Sequence, residues 1–348
     1  MSILDKYVTE APDPQLAVDL FQGTWSVSFP PPLEHIQAGS IPLFTDQRML
    51  WANEVLGGFT DKTVIELGPL EAAQSYLAQK YGASEVLAIE SNSTAYLKCL
   101  IVKELFELNK VRFLFGDFMP YLRTNQRMYD ICIASGVLYH MRYPAEMLGL
   151  VARAADRVLL WTHYFDEEII KHHPYVAARH RGGDIAANYA GFQHVLRRQE
   201  YQTSLDWSGF CGGSAPYSYW MRRDEILACL EYFGFDELHV DFDAKDHHGG
   251  PAFAVAAIRN DPTRRPTFDP LTTVYQFDDP LDLPPVAPAV STAPVAVVST
   301  PDNAQMHSYV AHLEQTLDQK QAYITALEQR LSQIEHSPLL RILRRFGR

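Results

Sequence analysis

The chain has 348 residues, a formal net charge of −12, and is 47% hydrophobic and 12% aromatic. That is enough for one sizeable core with appendages, and the acidic balance argues against a nucleic-acid partner. No apolar run approaches the ~20 residues of a membrane span, and MSILDKYVTE lacks the pattern of a signal peptide. Cys99, Cys132, Cys211 and Cys229 form no CxxC pair. Reduced core thiols in a cytoplasmic protein are therefore expected.

In chain order, residues 63–67 (TVIEL) read as a strand, 71–80 as a helix, 85–89 (EVLAI) as a strand and 94–108 as a helix with an apolar stripe. Then come strands at 111–115 (VRFLF) and 129–134 (YDICIA), a helix over 144–155 opened by proline, and a fifth strand at 157–161 (RVLLW). Val-, Ile- and Leu-rich strands alternating with helices imply an α/β, Rossmann-like, mostly parallel sheet. A helix over 222–233 and strands at 237–242 and 253–258 would add an antiparallel pair at its edge. Residues 162–219 break the alternation; rich in His, Tyr, Phe, Trp and Gly, they read as a substrate-side insertion at the carboxyl end of the sheet. Residues 1–260 would thus form one domain.

From 261 to 304 recurrent prolines suggest an extended linker with no packed core. Met306, Val310, Leu313, Leu317, Lys320, Ile324, Leu327, Leu331 and Ile334 then recur at 4-3 spacing, apolar except for Lys320. This heptad pattern over 305–336 predicts a coiled coil and a homo-oligomer, dimer or trimer. Residues 337–348, SPLLRILRRFGR, put Leu339, Leu340, Ile342, Leu343 and Phe346 on one helical face and arginines on the other. Such an end suits an anionic membrane surface at the inner face, with avidity from several copies.

The turn after the first strand, Glu66-Leu67-Gly68-Pro69-Leu70-Glu71-Ala72, has one glycine where a dinucleotide turn has several. Pro69 removes an N–H, and Glu66 would repel a phosphate. A cationic ligand without phosphate reverses that logic, which points to S-adenosylmethionine. Glu90 ends the second strand, roughly 24 residues on, where an acid can accept ribose hydroxyls. Asp117 can accept from an adenine amino group, Phe118 can pack on the ring, and Ser135 and Gly136 end the fourth strand beside the methionine part. Glu71 either meets the methionine ammonium or only caps the next helix.

These segments resemble the class I S-adenosylmethionine-dependent methyltransferases over residues 43–258. VIELGPLEA is similar to their first motif, with Leu70 and Ala72 in place of two glycines, and AIESN and GDFMPYL fall at the second and third positions. YDICIASGVLYHMRYP resembles the fourth motif of a subgroup that contains the tRNA wobble-uridine carboxymethyltransferases, and FTDQRMLWA resembles that subgroup's helix ahead of the first strand. The resemblance implies cofactor contacts from Glu66, Gly68, Glu90, Asp117, Phe118 and Ser135.

Transfer to an oxygen needs positioning and a base. His140, just after the fourth strand, and His163, after the fifth, are the candidates for base or acceptor-orienting group; Tyr139, Arg142, Trp207 and Tyr217 are candidate acceptor contacts. His172-His173 and His247-His248 with nearby acids match no standard metal-ligand spacing, so no metal is expected. The domain with its tether and basic tail resembles methyltransferases of bacterial surface-polysaccharide assembly, which implies a glycan or hydroxylated small molecule as acceptor. Two other readings stay open. One is a tRNA wobble-uridine enzyme, with Arg48 and Arg142 the cations available for an extra carboxylate. The other is a non-catalytic, cofactor-binding scaffold assembled by its coiled coil.

Overall fold

The structure, a computed structural model, describes residues 7–207, 209–277 and 279. The chain divides into two units, Met1–Leu283 and Pro284–Arg348. The heptad segment, the basic tail and most of the Pro-rich stretch lie outside the described residues.

Seven strands form the main sheet: β1 (Thr63–Leu67), β2 (Glu85–Glu90), β3 (Val111–Phe115), β4 (Tyr129–Ser135), β5 (Ala155–His163), β9 (Glu237–Ala244) and β10 (Ala252–Ile258). Their order is β3-β2-β1-β4-β5-β10-β9, parallel through β5, with β10 antiparallel to both its neighbours. All seven residues of β10 (AFAVAAI) are buried, as a strand covered on both faces requires. β9 alternates exposed and half-buried residues and puts charges on the sheet edge.

Helices α1 (Pro14–Asp19) and α2 (Gln47–Val55) precede β1, and α3 (Ala73–Lys80), α4 (Ser93–Leu105), α5 (Phe118–Thr124) and α6 (Pro144–Ala154) connect the parallel strands. Asn92 caps α4 by accepting from Thr94 N and Ala95 N, and Asp117 caps α5 by accepting from Met119 N. The strand order reverses between β1 and β4. This places a crevice at their carboxyl ends, the switch point at which open α/β sheets bind ligands.

The insertion carries two short helices, α7 (Glu167–Ile170) and α8 (Pro174–Ala177), then β6 (His180–Tyr189), β7 (Phe192–Glu200) and β8 (Tyr217–Trp220). β6 and β7 are joined by Ala190-Gly191, both at positive φ, the backbone of a two-residue hairpin turn. These strands form a second sheet, ordered β11-β6-β7-β8, whose outer strand β11 (Gln276–Phe277) comes from beyond the expected domain end.

That last pairing corrects the boundary set at residue 260. Phe268 packs against Tyr189 and Phe233, and Tyr275 stacks on Tyr189 at 5.5 Å. Asp279, 6% exposed, accepts from Arg198 Nη1 at 3.0 Å and from Tyr219 Oη at 2.5 Å. The described residues from 261 to 279 therefore belong to the domain. Its aromatic core draws on Phe268, Tyr275 and Phe277, sparse apolar positions that a proline-dominated reading passes over.

Candidate functional site

The turn after β1 keeps a glycine-type backbone without the glycines. Gly68 has φ +64°, Leu70 +55° and Ala72 +63°. Two of the three thus hold a side chain in the left-handed region, at a cost of about 1–2 kcal/mol each. A Cβ on Gly68 would lie 2.7 Å from Val137 Cγ1, so the absent side chain is what lets the β1 and β4 turns approach.

Three acids surround this turn, and they differ. Glu66, 2% exposed, accepts from Ser75 Oγ, and burial with the nearby Glu90 raises its carboxyl to about 7. Glu90 accepts from Leu70 N at 3.1 Å and Asn92 N at 2.8 Å; burial raises it as well. Among the described residues neither has an ion-pair partner. Glu71, by contrast, pairs with Lys98 at 2.8 Å and accepts from Ser26 N and Val27 N at 2.8–3.0 Å. Lys98 also donates to Thr24 O. Glu71 is neither a helix cap nor open to a ligand ammonium: it straps the N-terminal segment to the turn, a correction to the ligand role. A sequence cannot announce such a pairing, because its partners are backbone N–H groups some 45 residues away.

Asp117 is exposed beyond β3 while it caps α5, but Phe118 is 7% exposed and packs in the core. Ser135 and Gly136 sit half-buried at the end of β4, and Gly136 N donates to Trp161 O at 2.9 Å.

Beyond β4 and β5 lies a cavity of ≈ 220 Å³ lined by Tyr139, His140, His163, Tyr201 and Trp220, among others. The two histidines flank one ring, with Tyr139 centred 4.1 Å from His140 and 4.6 Å from His163. His163 Nδ1 lies 2.9 Å from Gly250 O. A carbonyl only accepts, so Nδ1 carries the proton and Nε2 keeps its lone pair. The ring is stacked on Trp220 at 5.4 Å and 7°. A Cβ on Gly249 would come within 2.9 Å of Nε2, so glycine there leaves that nitrogen room.

His140 Nδ1 lies 2.7 Å from Tyr201 Oη, and that hydroxyl donates to Gly212 O at 2.6 Å. With its hydrogen directed to the carbonyl, Tyr201 accepts from Nδ1–H, and again Nε2 keeps its lone pair. Burial, with help from neighbouring histidines, lowers His140 to about 3 and His163 to about 4. Both are neutral at pH 7.

Of the four expected acceptor contacts, Tyr139 and Trp207 line this cavity and the other two do not. Tyr217, 9% exposed, packs under the Arg198 guanidinium at 3.6 Å, and Arg142 stacks over Tyr143 and Tyr217. Both serve the second sheet. Of the aromatic residues in and just after the insertion, Tyr175, Tyr201, Trp207, Phe210 and Trp220 line the cavity, whereas Tyr164, Tyr189, Phe192, Tyr217 and Tyr219 are core. Arg48 holds its guanidinium 4.5 Å from the Trp161 ring centre, fixed by Asp46. Sequence reasoning missed Arg179, Gln199 and Gly249, which stand in no recognisable motif.

No protein-family model matches the chain, and no curated protein matches it. Among solved structures, the N-terminal domain of EvdMO1 with SAH bound is similar at TM-score 0.53 and 19% identity, over 70% of this chain and 94% of that one. The same domain in the presence of SAH and D-fucose gives TM-score 0.52 and 18% identity over the same shares. This chain has the class I methyltransferase fold. An S-adenosylmethionine-dependent methyltransferase from Mesorhizobium loti is also similar, at TM-score 0.44 and 16% identity, over 62% of this chain and all of that one. The site residues of this chain fall into two groups, those around the ends of β1 and β4 and those lining the cavity beyond β4 and β5.

Proposed function

We propose that the protein is an S-adenosylmethionine-dependent methyltransferase that methylates an oxygen of a sugar or similar hydroxylated small molecule. The observation that carries this reading is the histidine pair: two neutral imidazoles, each with Nδ1 anchored and Nε2 open, in a cavity beside the switch-point crevice. Two buried carboxylates with no ion-pair partner among the described residues, Glu66 and Glu90, suit a cationic cofactor and would repel a phosphate-bearing one. The cofactor, when bound, supplies an electrophilic methyl group. The chain's own residues do the rest. The β1 turn and Glu66 hold the cationic end, and Glu90 accepts from ribose hydroxyls. Tyr139, Trp220 and Tyr201 confine the acceptor ring. A histidine Nε2 takes the hydroxyl proton, and its Nδ1–H shares the resulting charge with Gly250 O or, through Tyr201, with Gly212 O.

The cavity volume suits a single sugar-sized ring, and D-fucose accompanied the EvdMO1 domain in crystals of the same fold. The acidic chain, and the absence of an ion-pair partner for Glu66 or Glu90 among the described residues, weigh against the wobble-uridine reading. In the same proposal the heptads at 306–334 assemble copies of this cytoplasmic enzyme, and residues 337–348 rest on anionic membranes. Sedimentation of the full chain and of one lacking residues 305–348 tests assembly, and vesicle flotation tests the tail.

The direct test is kinetic. His140→Ala and His163→Ala should each keep cofactor affinity, and turnover should fall by roughly 10²–10⁴-fold for whichever is the base. Unchanged turnover in both variants would remove the histidines from the reaction.

A further inference from the structure

The acceptor cavity holds one cation and no acid among its described lining residues, and that cation is Arg179, at the junction of α8 and β6. Its surroundings are unlike those of the other arginines in the insertion. Arg181 pairs with Glu200, Arg197 with Asp184, and Arg198 with Asp279. Arg179 has no carboxylate within ion-pair distance among the described residues. Its Nη2 donates instead to two hydroxyls, Tyr175 Oη and Ser204 Oγ, and its guanidinium lies over the Tyr175 ring at 4.0 Å from the centre.

The arginine is held in place from the backbone side. Glu200 N donates to Arg179 O at 2.8 Å, and Gln202 Nε2 donates to Ala178 O at 2.9 Å, so the end of β7 fixes the α8–β6 junction. Ser204 N in turn donates to Tyr201 O, and Tyr201 is the partner of His140 Nδ1. The arginine and the candidate base are thus tied to opposite ends of one short segment, residues 201–204, along the same cavity. Tyr175 and Trp207, 63% and 61% exposed, stand at the cavity beside it.

A half-buried guanidinium preorganised by hydroxyls rather than neutralised by a carboxylate keeps N–H donors for an incoming anion. In a chain of net charge −12, the missing counter-ion among the described residues is notable. We infer that the acceptor is an anionic sugar, one whose phosphate or carboxylate is gripped by Arg179 while a ring hydroxyl meets the histidine pair. This rests on the methyltransferase reading and narrows its substrate class.

The experiment is a calorimetric titration of the full-length, SAH-loaded protein with three probes: D-fucose, D-fucose 1-phosphate and D-galacturonic acid. Expected is binding of at least one charged probe roughly 10- to 100-fold tighter than the neutral sugar, the range for a charged hydrogen-bonded group. Which charged probe binds tighter separates phosphate from carboxylate. Arg179→Gln should remove that difference, Arg179→Lys should restore part of it, and neither should change SAH affinity, which also reports that the variants fold. Equal binding of all three probes, or charged-probe binding unaffected by Arg179→Gln, would overturn the inference. Because the readout is binding, it stays separate from failure of the methyl-transfer reading, which would show as no SAH binding or no turnover with any hydroxylated acceptor.

Discussion

Glu66 carries the sharpest expectation at the residue scale. Its carboxyl is raised to about 7, chiefly by burial, and the charged or ionisable groups around it are Glu90, Cys99 and Cys132, with Ser75 as its hydrogen-bond donor. A cation is best held by the ionised form, so below pH 7 binding must expel a proton. Affinity for S-adenosylmethionine should therefore weaken from pH 8 to pH 6, approaching tenfold per unit below 7. Glu66→Gln should bind less tightly with a flat profile; a sloping profile in that variant would remove Glu66 from the site. The same turn predicts a stability effect. Ala72→Gly relieves a left-handed alanine but loosens the unfolded chain, so the net should be neutral to about 1 kcal/mol stabilising. The neighbouring helical Ala73→Gly should cost about 1 kcal/mol, and urea unfolding of the pair separates the two effects. Gly68, Leu70 and Ala72 also show what can be read from a sequence. The backbone path survives glycine loss, so the motif remained recognisable by position, while the strain it stores is visible only in φ.

At the scale of elements, the strands and helices were legible because apolar runs with period-typical spacing mark them directly: every strand read over residues 63–161 is present, most within a residue or two of its expected ends. What escaped were long-range attachments. The strap from Glu71 and Lys98 to residues 24–27 and the β11 addition to β6 join segments far apart in sequence, and neither leaves a periodic trace. Both are testable. Lys98→Ala leaves Glu71, 1% exposed, as an uncompensated buried charge, which should cost about 3–5 kcal/mol and register as a lower melting temperature. A chain ended after residue 260 loses Phe268, Tyr275 and Asp279 and uncovers Tyr189, Tyr219 and Arg198. It should be markedly less stable than one ended after residue 283. Equal stability would mean that the second sheet does not need its outer strand.

For the molecule as a whole, the buried histidines set an acid limit. His163 and His194, 6% and 4% exposed, both have their imidazoles lowered to about 4 by burial. As pH falls from about 6.5 towards 4 the unfolded chain takes up these protons and the folded one does not, so each should withdraw about 1.4 kcal/mol per pH unit. Glu66 works the other way between 4.5 and 7, holding a proton only when folded, and offsets part of the loss. Urea midpoints at pH 7, 6 and 5 should fall in that order, and His194→Gln should flatten the fall.

The reaction is tested most directly by methyl transfer from labelled S-adenosylmethionine into a cell lysate separated into RNA, lipid-linked glycan and small-molecule fractions. Label is expected in the glycan or small-molecule fraction, carried on oxygen and strongly reduced when both His140 and His163 are replaced by alanine. Label in RNA would contradict the acceptor, and no label in any fraction would contradict the enzyme.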